Sequence, residues 1–199
     1  MKGNKTLWIV LGTVVLLLVI VGGCTATSYN SFVKKNNEVE NAWGKVQTAY
    51  QRRADLVPNL VNTVKGAAAH EQNTLKAVTD ARAKVGSLNI SADQLNEETL
   101  KQFQEAQDEL SGALKSLIAV GESYPNIKAT ENFLGLQTQL EGTENRIATA
   151  RMDYTNAVKD YNNSVMKFPS NIIAGWFGFE KKPQFQASEA AQSAPEVEF

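Results

Sequence analysis

Hydrophobic positions divide this chain into one unbroken apolar run followed by helical stripes. Leu7 to Ala26 holds 20 residues without a charge, enough at about 1.5 Å per residue to cross the roughly 30 Å hydrocarbon core of a bilayer. From Phe32 the pattern changes. Steps of four and three place Phe32, Asn36, Val39, Trp43, Val46, Tyr50, Arg53, Val57, Leu60 and Val64 on one seam, and eight of these ten are apolar. That spacing predicts a long helix needing a partner along its whole length. The stripe resumes at Leu75, Val78 and Val85, and Gly86 supplies a stop. A second helix is predicted from Ile90: Ser91 and Gln94 form a capping box, Ile90 staples onto Leu95, and Leu100, Phe103, Leu110, Leu114 and Leu117 form the buried stripe. It closes near Gly121, ahead of the turn residues Ser123-Tyr124-Pro125-Asn126. A third helix runs from Phe133 through Leu136, Leu140, Thr143, Ile147, Ala150, Tyr154, Ala157, Tyr161 and Ser164 to Phe168, stopping at Pro169. Its small residues Ala150, Ala157 and Ser164 permit a neighbouring helix to approach closely. Strand-like alternation is absent, so the expected fold class is all-α: a long antiparallel helical bundle behind an N-terminal membrane segment.

The apolar run supports two readings. It serves as an uncut transmembrane helix in which Cys24 is a small apolar residue. Alternatively, Lys2 and Lys5 are a signal-peptide n-region, Leu7 to Val21 the h-region, and Val21-Gly22-Gly23-Cys24 a cleavage site. That second pattern resembles a bacterial lipoprotein signal, with Cys24 as the lipidated first residue. Lys2 and Lys5 flank one side and Lys34 and Lys35 the other, so loop charge leaves orientation open. The expected organisation is an anchor or signal over residues 1–27, a bundle over 28–168, an aromatic strap over 169–185 and a disordered tail over 186–199, located at a bacterial cell membrane.

Composition narrows the function. Twenty basic and 21 acidic residues give a formal charge of −1, with no basic block of the sort that binds nucleic acid through phosphates. One cysteine excludes an internal disulfide and a cysteine-based metal cluster. The fold must rest on packing.

Candidate chemistry is sparse. Pro58 lies inside the first helical stripe, which predicts a kink or restart near Ala54. Arg53 sits on the apolar seam and needs a carboxylate, with Glu141 and Glu144 as candidates. Arg52, Arg53, Asp55 and Pro58 therefore read either as an ion pair beside a kink or as a hinge or partner site. His70, the single histidine, opens His70-Glu71-Gln72-Asn73-Thr74, which lacks the second histidine of a zinc motif. Glu141, Glu144, Asn145, Arg146 and Arg151 form the densest polar cluster, read as an interhelical ion network or as an acid and base. No motif for a metal or cofactor is present. Asn171 to Lys182 is strongly apolar and reads in two ways. It is a strap over the bundle end with Trp176 and Phe179 as plugs, or an interfacial element placing Trp176, Phe177 and Phe179 on a bilayer with Lys181 and Lys182 at headgroup level. The terminal Ala194-Pro195-Glu196-Val197-Glu198-Phe199 fits strand addition in a PDZ-type groove.

Several stretches also carry a resemblance. Tyr29-Asn30, Gln51 to Val64, Lys65-Gly66 with Ala69-His70-Glu71, and Ala129-Thr130-Glu131-Asn132-Phe133 through Leu140-Glu141-Gly142-Thr143-Glu144-Asn145-Arg146-Ile147 resemble the bacterial LemA family. The resemblance covers nearly the whole chain from Tyr29. It implies a membrane-anchored protein with a bromodomain-like, four-helical bundle and no established enzymatic activity. Many members keep an uncut transmembrane helix where this chain has Cys24. It further implies partners among membrane zinc peptidases and TPM-domain proteins. The functional expectation is a non-catalytic, membrane-tethered scaffold or adaptor for another membrane or envelope protein, with self-association left open. A lipid-binding or membrane-remodelling module is the alternative, and an enzyme using the Glu141 to Arg151 cluster comes third.

Overall fold

A computed structural model describes residues 3–66, 70–88 and 90–186, with side chains from Leu7 onward. Its helices, in chain order, are α1 (Gly3–Lys65), α2 (Gln72–Ser87), α3 (Glu97–Ser123), α4 (Pro125–Lys128), α5 (Glu131–Met166) and α6 (Ser170–Phe177). No strand occurs among the described residues. The protein is all-α.

α1 continues without interruption from the apolar run into the bundle. Its 63 residues span about 95 Å at helical rise. An 18-residue window within it has a mean hydropathy of 2.7 and buries nothing against the protein, and burial begins at Phe32. A kink or a restart was expected near Ala54 because of Pro58; no restart occurs, and α1 runs on as one helix with Pro58 inside it. Proline deprives the carbonyl one turn back, that of Ala54, of its usual donor. Arg82 on α2 supplies another, its Nε donating to the Ala54 oxygen at 3.0 Å.

The stripe Leu75, Val78 and Val85 belongs to a separate helix. After Gly66 the chain reverses, and α2 runs back along α1 with Val78 and Ala81 buried. Four long helices, not three, therefore form the bundle, with α3 parallel to α1 and α5 antiparallel to it. The expected Ser91 and Gln94 capping box forms, but it caps a short turn ahead of α3 rather than α3 itself. The Gln94 side-chain oxygen accepts from the Ser91 amide at 3.2 Å across a single 3-10 turn, Ala92–Gln94. α3 starts later, where Asn96 accepts from the Thr99 amide and Thr99 accepts from the Asn96 amide, both at 2.9 Å.

On α5 the expected seam holds through Tyr154 and again at Tyr161, and slips by about one residue at the other positions beyond Tyr154. Val158, Asn162 and Val165 are buried where Ala157, Ser164 and Phe168 were expected, and Phe168 is 80% exposed. A straight helix drifts about 20° per seven residues against a strict heptad, so five heptads accumulate roughly one residue of rotation. Asn162 is satisfied by the chain that follows α6: its amide nitrogen donates to the Lys182 carbonyl and its oxygen accepts the Lys182 N–H, each at 2.9 Å.

That return segment crosses the bundle. Gly178, at φ +73°, ends α6 in the left-handed conformation, and the Phe179 amide bonds back to the Ala174 carbonyl at 2.9 Å. Phe179 and Phe185 pack on the core, and the Tyr154 hydroxyl donates to the Pro183 carbonyl at 3.0 Å. Residues 187–199 lie outside the described residues, and the Ala194 to Phe199 reading with them.

The core has two parts. One holds Phe32, Trp43, Tyr50, Phe103, Tyr154 and Tyr161 near the anchor; the other holds Leu56, Leu60, Leu110, Leu117, Phe133 and Leu140 at the far end. Arg53, Gln107 and Thr143, all buried, lie between them in sequence on α1, α3 and α5.

Candidate docking surface

Arg53 and Arg52 are neighbours with opposite environments. Arg53, 2% exposed, turns inward. Its Nη1 donates to Glu144 Oε1 at 3.0 Å, and its Nη2 donates to the Gln107 carbonyl at 2.9 Å and to Gln107 Oε1 at 2.6 Å. Its guanidinium lies 5.0 Å from the Tyr50 ring centroid, while its Nε is buried without an acceptor. Burial raises the Tyr50 phenol above its ordinary value, although Arg151 and Arg53 oppose the shift. Of the two expected carboxylates, Glu144 is the partner; Gln107 carried no pattern that would have identified it.

Arg52 turns outward. Its Nη2 donates to Gln139 Oε1 at 3.3 Å on α5, and Asp55 beside it accepts from Gln51 at 2.8 Å. Pro58 is half-buried inside the intact helix. Arg53 therefore belongs to the core, and only Arg52 and Asp55 of the four sequence candidates face solvent.

Arg52 borders a groove of about 790 Å³ between α1 and α5. Small residues line it: Gly44, Thr48 and Ala49 from α1, and Thr149 and Ala150 from α5. The seven-residue spacing of large seam residues leaves these short side chains between them, so the helices present a trough without opening the core. Lys45, Arg52 and Arg146 set its charge against Asp153 alone, and Lys45 pairs with Asp153 at 3.3 Å. The trough is cationic at its edge and small-residue at its floor.

The Glu141 to Arg151 cluster is dispersed. Glu144 is held by Arg53, Arg146 lines the groove, and the Arg151 guanidinium lies 4.5 Å from the Phe185 ring centroid. Glu141 is exposed. No acid is set against a base there. His70 is exposed, and no group of three metal-binding side chains occurs among the described residues.

Cys24 is exposed on α1. Trp176, expected as a plug, is 70% exposed, and Phe177 is 51% exposed although its ring meets Tyr29 edge-on with 5.0 Å between centroids. Phe179, the other expected plug, does pack on the core, its ring centroid 5.2 Å from that of Phe32 and 5.6 Å from that of Tyr29.

A family model described as the LemA family matches residues 42–199. The chain belongs to the LemA family. Among curated relatives, the Magnetosome protein MamQ 2 of Paramagnetospirillum magneticum is 29% identical over 182 residues, covering 83% of this chain and 67% of the relative. The Protein LemA of Metamycoplasma hominis is 28% identical over 160 residues, covering 80% and 69%. The Magnetosome protein MamQ of Magnetospirillum gryphiswaldense is 24% identical over 208 residues, covering 96% and 76%. The family match spans the α1–α5 groove, the buried Arg53 network and the return segment of this LemA-family chain.

Proposed function

We propose that this LemA-family chain is a non-catalytic, membrane-tethered helical scaffold that holds one other membrane or envelope protein. The observation that carries the reading is the continuity of α1, which joins the exposed apolar run to the far end of the bundle as one helix. Such a helix holds the α1–α5 groove at a fixed height above an anchor. The groove accepts a helix through its small-residue floor, and Lys45, Arg52 and Arg146 favour an acidic face on that helix. None of the relatives carries an enzyme's name, which supports the non-catalytic part of the reading. Membrane zinc peptidases and TPM-domain proteins, implied by the family resemblance, are the first partners to test. Cys24 sits where either anchoring mode, an uncut helix or a lipidated cysteine, delivers the same bundle to the membrane.

Filling the groove tests this. Thr48→Trp and Thr149→Trp add bulk at exposed positions. The full chain purified from its host membranes should lose a co-purifying membrane protein in both variants while keeping its melting temperature. Retention of the same partner in both variants would remove the groove as the docking site.

A second reading, a lipid-binding module, is favoured by the exposed Phe168, Ile172, Trp176 and Phe177 near the anchor.

A further inference from the structure

From the geometry around α6 we infer that this short helix is a membrane-surface collar: Phe168, Ile172 and Trp176 enter the bilayer interface beside α1 and hold the bundle at a fixed angle to it. The inference rests on the membrane-anchored part of the proposed function and adds a second lipid contact, remote in sequence from the first.

Two observations meet here. The first is depth. The apolar run from Leu7 ends at Ala26, with the polar residues Thr27 and Ser28 after it, and Tyr29 lies three residues beyond Ala26, about 4.5 Å along the helix axis. Phe177 meets Tyr29 edge-on with 5.0 Å between centroids, and Phe179 meets Tyr29 and Phe32. α6 is thereby fixed at the level where α1 leaves the apolar run. If Cys24 were instead the lipidated first residue, Tyr29 would still lie about 7.5 Å from it along the helix.

The second observation is composition. α6 buries Ile173 and Ala174 against the bundle. Its other side presents Ile172 and Trp176, spaced four residues apart and so on one face, with Phe168 just before the helix. These are 45%, 70% and 80% exposed, respectively, in a chain whose other large aromatic side chains beyond the anchor are mostly covered. Lys34, Lys167 and Lys181 are exposed nearby in sequence, against Asp160 and Glu180. Thr27, Ser28, Ser31, Asn163, Lys167 and Ser170 line a polar recess at the same end. An apolar tip, an amphipathic tryptophan and flanking lysines at one depth match a bilayer's acyl boundary and headgroups. A protein partner would have to share that depth with the lipid.

Brominated-lipid quenching of tryptophan fluorescence tests the collar in the full chain, reconstituted into vesicles of phosphatidylethanolamine and phosphatidylglycerol. In a Trp8→Phe background the remaining tryptophans are Trp43, buried in the core, and Trp176. Bromine placed near the headgroup end of the acyl chains should quench Trp176, and Trp176→Phe should abolish that quenching. Trp176 is exposed, so this replacement leaves the core intact. With Trp8 restored, its own quenching reports the anchor independently. Quenching of Trp8 without Trp176 would overturn the collar and leave the anchor standing. Quenching of neither would overturn both. A Trp176 emission that responds to the protein-to-lipid ratio and not to bromine would assign the patch to a second copy of the chain, and would overturn the collar as well.

Discussion

Replacing Arg82 by Ala should destabilise the bundle only while Pro58 is present. Pro58 removes the donor that would have served the Ala54 carbonyl, and Ala54 is 6% exposed, so water reaches it poorly. Arg82 Nε fills that vacancy at 3.0 Å from α2. Arg82→Ala therefore leaves a buried acceptor unpaired, at a cost of about 1–3 kcal/mol. For a domain of this size that corresponds to roughly 2–12 °C in melting temperature. Pro58→Ala restores an N–H that can donate to Ala54 within the helix. In that background Arg82→Ala should cost no more than about 0.5 kcal/mol, the ordinary range for a surface replacement. Urea denaturation of the four chains in detergent, followed by circular dichroism with unchanged slope, measures the coupling directly. A coupling of about 1 kcal/mol or more supports the account. Equal losses in both backgrounds would refute it, because Arg82 would then act through something other than the proline-vacated carbonyl.

Three further outcomes follow from the core. Arg53→Ala should lose about 3–5 kcal/mol in the same assay, from unpaired Gln107 and lost packing of the stem, whereas Arg53→Met with Gln107→Leu should retain most of the stability. Gly121→Ala should destabilise by about 1–3 kcal/mol before a helix-propensity gain of about 1 kcal/mol, because a Cβ there would meet the fully buried Phe133 ring at 2.5 Å; Phe133→Leu should relieve much of it. Burial raises the phenols of Tyr154, Tyr161 and Tyr50 above their ordinary value near 10. The unfolded chain then releases protons first, so stability is intact below about pH 10 and falls as pH rises beyond it, read as tyrosinate absorbance appearing together with loss of helix.

Most of the fold is legible in the spacing of apolar residues, since a helical seam must be covered and Phe32 to Val64 and Phe133 to Tyr154 are covered as spaced. What escapes the pattern depends on contacts distant in sequence. Pro58 reads as a helix breaker until Arg82, 24 positions on by the numbering, is seen to serve the freed carbonyl. A strict heptad leads to Ala157 and Ser164, while helical drift buries Val158 and Val165. The α2 stripe continues the apolar pattern of α1, although α1 ends at Lys65 and α2 begins at Gln72. At the groove, Arg52 was visible as a charge and Ala150 as a small residue on its helix, but Gly44, Thr48 and Ala49 have no individual signature. Small residues acquire meaning there only once α1 and α5 lie side by side.

The claim that this LemA-family chain holds a partner along α1 and α5 meets its most direct test in photo-crosslinking within intact host membranes, with a photoreactive residue placed at Thr48 or Thr149 in the groove and at Lys115 on the exposed side of α3 as control. The account predicts one and the same membrane-protein adduct from both groove positions and none from Lys115. An empty groove, or an identical adduct from all three positions, would contradict it.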